Sequence, residues 1–171
     1  MPTKPTRKDP AAAKPGKPDR LIRSRDLQPD EQAALLQPCV HASIHLALTL
    51  KQLHWNLRGS KFQTVHEFLD VVIAHARATS DELAERIVTL GVAARGQPHT
   101  VAGVDLPKVP DAFITDTQAL ELASSLLDAT IGTLRDAQEP LGDIDAVSED
   151  LVISAIQLFE KQLWMLRSHL L

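Results

Sequence analysis

The chain has 171 residues, 44% hydrophobic, 23% charged and only 4% aromatic, with a formal net charge of −4, which suits one helical domain with a sizeable core plus a tail. Its single cysteine, Cys39, excludes an internal disulfide framework and fits a reducing, cytoplasmic setting. No apolar run approaches membrane-spanning length, and Met1 is followed by Pro and Lys residues instead of an apolar signal segment.

Residues 1–25 differ in composition from everything after them. They carry Lys4, Arg7, Lys8, Lys14, Lys17, Arg20, Arg23 and Arg25 against Asp9 and Asp19, with five prolines interleaved. This segment has too little apolar surface to order itself, so the sequence predicts a disordered basic N-terminal tail followed by one domain over residues 26–171. The tail has a formal charge of +6 and the remainder −10. A basic arm repeated around an oligomer would neutralise phosphates, making DNA an expected, sequence-independent partner, since no base-reading element is visible. A solubilising tail is the plainer reading of the same residues.

The first helix is expected from Glu31 to about Leu57, with Asp30 or an earlier polar residue as cap and Pro38 as either a kink or the true first turn. Cys39 reads as a small core residue. His41 and His45 share an i,i+4 spacing that suits a metal, but no carboxylate accompanies them, which favours partly buried or interface histidines.

A second helix is expected from Phe62 to Leu90, ended by Gly91, because Phe62, Val65, Leu69, Val72, Ala76, Thr79, Leu83, Ile87 and Leu90 recur at steps of three and four. On the same wheel His66, Asp70, Asp81 and Glu85 fall near about 0°, 40°, 60° and 100°, one stripe turned away from the core. Asp70 and Asp81 are about 16 Å apart along the axis, too far to share a metal in one helix. The four positions are symmetric about a midpoint between His75 and Ala76. Two antiparallel copies of the helix would therefore set His66 and Asp70 of one chain against Glu85 and Asp81 of the other. His54 joins through the turn Arg58–Lys61, level with His66. Two imidazoles and three carboxylates suit iron, and also zinc or manganese. Arg77 lies on the same stripe, where it would pair with carboxylates or reach water.

Gly96, Pro98, Gly103, Pro107 and Pro110 break the next stretch, a connection too long for a tight turn and suited to a crossover between parallel helices, with room for a short helical piece. The third helix is expected from Asp116 to Glu139, with Leu120, Ala123, Leu127, Ile131 and Leu134 inward, Thr115 or Asp116 as cap and Pro140 as stop. The fourth runs from about Ser148 to Leu170 on Val152, Ile156, Phe159, Leu163, Leu166 and Leu170. No sheet is expected. The fold class is all-α, a four-helix bundle with a long crossover between helices two and three.

The run His54-Trp55-Asn56-Leu57-Arg58-Gly59, then Phe62, His66-Glu67, Asp70, Asp81 and Ala84-Glu85-Arg86, closing on Leu90-Gly91, resembles the signature of the Dps family, mini-ferritins named for DNA protection during starvation. Weaker likeness extends to Leu163-Trp164. The resemblance implies a ferritin-like subunit in a hollow dodecamer that oxidises Fe(II), preferably with hydrogen peroxide, and stores ferric mineral inside. It also implies that Trp55, beside the site, intercepts oxidising equivalents, and that the tail's lysines bind DNA in the nucleoid. Asp143, Asp145, Glu149 and Asp150 cluster at a helix start, where they serve as cap and dipole partners; Asp145, Glu149 and Asp150 are also candidates for an acidic three-fold pore through which iron enters. Larger ferritins build their sites from Glu-x-x-His pairs, and the chain contains none. The alternative function is a DNA-compacting structural protein with little iron chemistry.

Overall fold

The computed structural model describes residues 28–171, so the tail and its eight cationic side chains lie outside the described residues. Helix α1 spans Pro29–Asn56, α2 Phe62–Thr89, α3 Pro98–Val101, α4 Asp116–Ile144 and α5 Ala146–Ser168. The cap position of α1 is the earlier polar residue Gln28; Pro29 occupies the first turn, where a missing N–H costs nothing, and Asp30 and Glu31 follow at the positive end of the helix. Pro38 sits inside α1 instead of opening it. The carbonyl it leaves without a partner belongs to exposed Ala34, which water can reach.

The stripe expected on α2 is buried from Val65 to Leu90, with Ile73 added, but Phe62 remains 43% exposed. The helix ends as Gly91 requires: at φ +87° it lets its own N–H bond the Val88 carbonyl at 2.8 Å and the Val92 N–H bond Ile87 at 3.2 Å. The crossover contains the single helical turn α3. It ends in Ile114–Thr115 (β2), which pairs in parallel with Leu57–Arg58 (β1) at the end of α1. This two-residue sheet corrects the expectation of none; it is too short to leave an alternating pattern in the sequence.

Thr115 caps α4 in a full capping box with Gln118. Pro140 does not stop that helix, which continues to Ile144. The carbonyl deprived of a donor is that of exposed Asp136, so solvent satisfies it. Helix α5 starts and ends two residues before the expected bounds, and its inward residues are buried except Leu170, which is 38% exposed.

Side-chain pairs set the helix directions. His54 meets His66, and Lys51 meets Asp70, making α1 and α2 antiparallel. Arg135 meets Glu160, and Asp128 meets Arg167, making α4 and α5 antiparallel. Cys39 lies against Thr133 while the end of α1 pairs with the start of α4, so α1 and α4 are antiparallel as well. Helices α2 and α4 therefore run parallel, joined by the long crossover. This is the ferritin-like topology.

All four long helices contribute to one core, in which Phe159 is the largest fully buried side chain, each such burial stabilising by about 1.5–3 kcal/mol. Cys39 belongs to it, with its thiol pushed up to about 12 by burial, and is inert. By length and composition α1 is apolar enough to cross a membrane, which the sequence reading did not anticipate. In the fold its apolar residues, Leu36, Val40, Leu46, Leu50 and Leu53 among them, are core.

Candidate metal centre

The hairpin between α1 and α2 brings the two histidines level. It turns through Gly59, at φ +147°, whose carbonyl accepts the Phe62 N–H at 3.2 Å. The rings of His54 and His66 stack with centroids 3.6 Å apart and planes 21° apart, and the exposed Phe62 ring extends the stack, 4.9 Å from His66. The hydrogen bonds are reciprocal. His54 Nδ1 donates to the His66 carbonyl at 3.0 Å, and His66 Nδ1 donates to the His54 carbonyl at the same distance. A carbonyl oxygen only accepts, so both Nδ1 atoms carry hydrogen. In a neutral ring that leaves the Nε2 lone pair available to a metal. Burial pushes His54 below the usual imidazole range and favours its neutral form.

Asp70, one turn beyond His66, places Oδ1 3.5 Å from His54 Nδ1. Its carboxylate is paired with Lys51, whose hydrogen bond, ahead of the nearby imidazoles, holds Asp70 below the usual carboxylate range. The sequence reading missed Lys51. The signal was present: 51 and 70 are nearly equidistant from the turn, as 54 and 66 are.

Asp81 and Glu85 are exposed on α2, about 16 and 22 Å from Asp70 along the axis. Within one subunit, and among the described residues, no group of three or more His, Cys, Asp or Glu side chains is gathered to hold a metal ion. One chain brings His54, His66 and Asp70 to one end of α2 and leaves Asp81 and Glu85 at the other. Trp55 is 66% exposed beside this end, and Arg77 is exposed near the helix midpoint.

The acidic cluster at the start of α5 divides in two. Asp145 is buried: it accepts the Val147 N–H at 3.2 Å as the cap of α5, the Arg86 guanidinium at 2.6 Å and the Ser148 hydroxyl. This arrangement gives it the capping role and leaves its carboxylate enclosed by Arg86 and Ser148. Glu149 is half-buried and accepts from Gln138 at 2.7 Å, while Asp143 and Asp150 are exposed. Burial alone would raise the Asp145 carboxyl, but the bonds from Ser148 and Arg86 outweigh it and hold the group below its ordinary value. A depressed pKa contributes stability above the unfolded value, about 3.9, and that contribution is lost as pH falls through the folded value. We expect Asp145→Asn to lower the melting temperature at neutral pH, with the gap to the wild type closing in acid. A constant gap would show that the charge is not what matters.

His41 and His45 do not converge on a common partner. His41 Nε2 donates to the Arg95 carbonyl at 2.8 Å, tying down the start of the crossover, and His45 Nδ1 lies 3.4 Å from Thr49 Oγ1.

A family profile described as a ferritin-like domain matches residues 33–171. Over 149 residues the chain is 34% identical to the DNA protection during starvation protein of Mycolicibacterium smegmatis, with 85% of this chain and 80% of that protein covered. It is 37% identical to the fine tangled pili major subunit of Haemophilus ducreyi, covering 81% and 74% respectively. The structure of Dps from Microbacterium arborescens in the high iron form superposes with a TM-score of 0.82 at 35% identity, covering 87% of this chain and 99% of that one. The class is ferritin-like, and within it the chain belongs to the Dps family.

Proposed function

We propose that the protein is a ferroxidase and iron-storage protein whose metal centres form between subunits. The reciprocal Nδ1 bonds of His54 and His66 carry this reading, because they leave both Nε2 lone pairs free, with the Asp70 carboxylate nearby, in a donor set that one chain leaves incomplete. A two-fold axis near His75 and Ala76 supplies Asp81 and Glu85 of the second subunit, giving two sites per pair. The donor set is mixed nitrogen and oxygen without thiolate, which suits Fe²⁺ and also zinc or manganese.

Iron is the substrate. Two Fe²⁺ ions each lose one electron, the O–O bond of hydrogen peroxide breaks, and two hydroxides leave; oxygen serves as a slower oxidant. The carboxylates favour the ferric product, and Lys51 yields Asp70 to the incoming metal. Twelve subunits enclose the stored ferric iron, with Glu149 and Asp150 facing the pore through which Fe²⁺ enters. Trp55 stands where it can intercept stray oxidising equivalents. The basic tail holds the cage to DNA in the cytoplasm, and consumption of Fe²⁺ and peroxide protects that DNA. A DNA-compacting protein with little iron chemistry is the second reading, favoured by the +6 charge of residues 1–25.

The deciding experiment loads the protein with Fe²⁺ anaerobically, adds peroxide and follows ferric absorbance. We expect rapid oxidation by the wild type and none above background by the His54→Ala, Asp81→Ala double variant. Equal rates would remove the metal assignment and leave the DNA-compacting reading.

A further inference from the structure

The histidine pair depends on the path of a five-residue turn, and that turn is held from outside its own hairpin. Asp116, in the first turn of α4, is buried and uses both carboxylate oxygens. Oδ1 accepts the Thr117 N–H of its own helix at 2.8 Å; Oδ2 accepts the Lys61 N–H, 55 residues away, at 2.7 Å. The capping demand of α4 is already met by Thr115 and Gln118. Asp116 is therefore not needed as the cap.

Its carboxylate also sits directly on Gly59. A Cβ built on Gly59 would lie 2.3 Å from Asp116 Oδ2, and the φ of +147° disfavours any side chain there in its own right. Two further contacts hold the same join: the β1–β2 pairing of Leu57 with Ile114 and Arg58 with Thr115, and the Arg58 guanidinium 3.3 Å from the centre of the Phe113 ring. A shift in the Gly59–Lys61 turn would move α2 along α1. The two Nδ1 bonds span residues 12 apart in sequence, so they register any such shift directly.

We propose that Asp116 is a positioning residue for the metal centre: by clamping the Gly59–Lys61 turn to the start of α4 it fixes the register in which His54 and His66 present their Nε2 atoms. The proposal rests on the reading of those histidines as ligands, and its test separates the two. Asp116→Ala removes the acceptor, Asp116→Asn keeps an oxygen for the Lys61 N–H, and Thr115→Ala removes the side chain that caps α4 and leaves the backbone pairing of residue 115 with Arg58 in place. Each full-length variant is examined metal-free, by the hydrogen-bonded imidazole Nδ1–H proton resonances, and then with Co²⁺, by the visible ligand-field band.

Asp116→Ala should lose the slowly exchanging Nδ1–H resonances and weaken Co²⁺ binding by about tenfold or more, the usual effect of removing a residue that orients a ligand. Asp116→Asn and Thr115→Ala should keep both. Wild-type resonances and affinity in Asp116→Ala would overturn the proposal, as would equal losses in Thr115→Ala. If the wild type bound no Co²⁺ while Asp116→Ala still lost the resonances, the metal reading would fall and the clamp would stand. Should Asp116→Ala fail to fold, Asp116→Glu decides, since the longer side chain must displace the turn; an unchanged spectrum and affinity there would overturn the proposal equally.

Discussion

Two inactive variants, His54→Ala and Asp81→Ala, should regain activity when their subunits are reassembled together. In a mixed pair one site contains both defects, while the other takes His54, His66 and Asp70 from the Asp81→Ala chain and Asp81 and Glu85 from the His54→Ala chain. Random pairing makes half of all pairs mixed, so roughly a quarter of the wild-type sites should return, measured as peroxide-dependent ferric absorbance. The structure motivates this through the separation of the two ligand groups along α2, an exposed face of which carries Asp81 and Glu85. A mixture as inactive as its components would exclude a shared site. Activity in either pure variant would exclude that residue as an essential ligand.

DNA retardation by the full chain should disappear on deletion of residues 1–25, while ferroxidation survives. The deletion removes eight cations and two anions and leaves a body of formal charge −10 per subunit, which repels phosphate. If six to ten phosphates are contacted, affinity for the full-length assembly should fall by about 10³–10⁵ between 50 and 200 mM salt. In the proposed cage, many arms would compensate for the weak hold of each. Retention of DNA by the shortened chain would place the binding surface on the bundle instead. Loss of iron oxidation on deletion would break the division of labour between tail and bundle.

The helices were legible because burial imposes a period that sequence displays directly: Val65 to Leu90 and Val152 to Leu166 are core, as their spacing requires. The level of His54 with His66 was also legible, since a short hairpin fixes its own register. Pro140 misled, whereas the interior position of Pro38 was one of its two readings. Pro38 and Pro140 both leave a carbonyl on an exposed residue, and the fate of that carbonyl depends on solvent access, which a single sequence does not display. Phe62 fits the core period yet stays 43% exposed and stacks on His66. Asp145 belongs to the acidic run by composition, but its role is set by Arg86, which reaches it from another helix. Asp116 acts across the crossover, where local spacing carries little information.

The β1–β2 pair and the Asp116 contact give the crossover an unusual freedom. Closing a flexible loop costs an entropy that grows only with the logarithm of its length, so doubling the crossover would cost about 0.6 kcal/mol. Its middle can therefore lengthen or shorten cheaply. The last three residues before the helix proper and the first within it, Phe113 through Asp116, have no such latitude, because they meet Arg58, Leu57 and Lys61 at fixed register. The segment is thus constrained by where it lands and hardly at all by how far it travels.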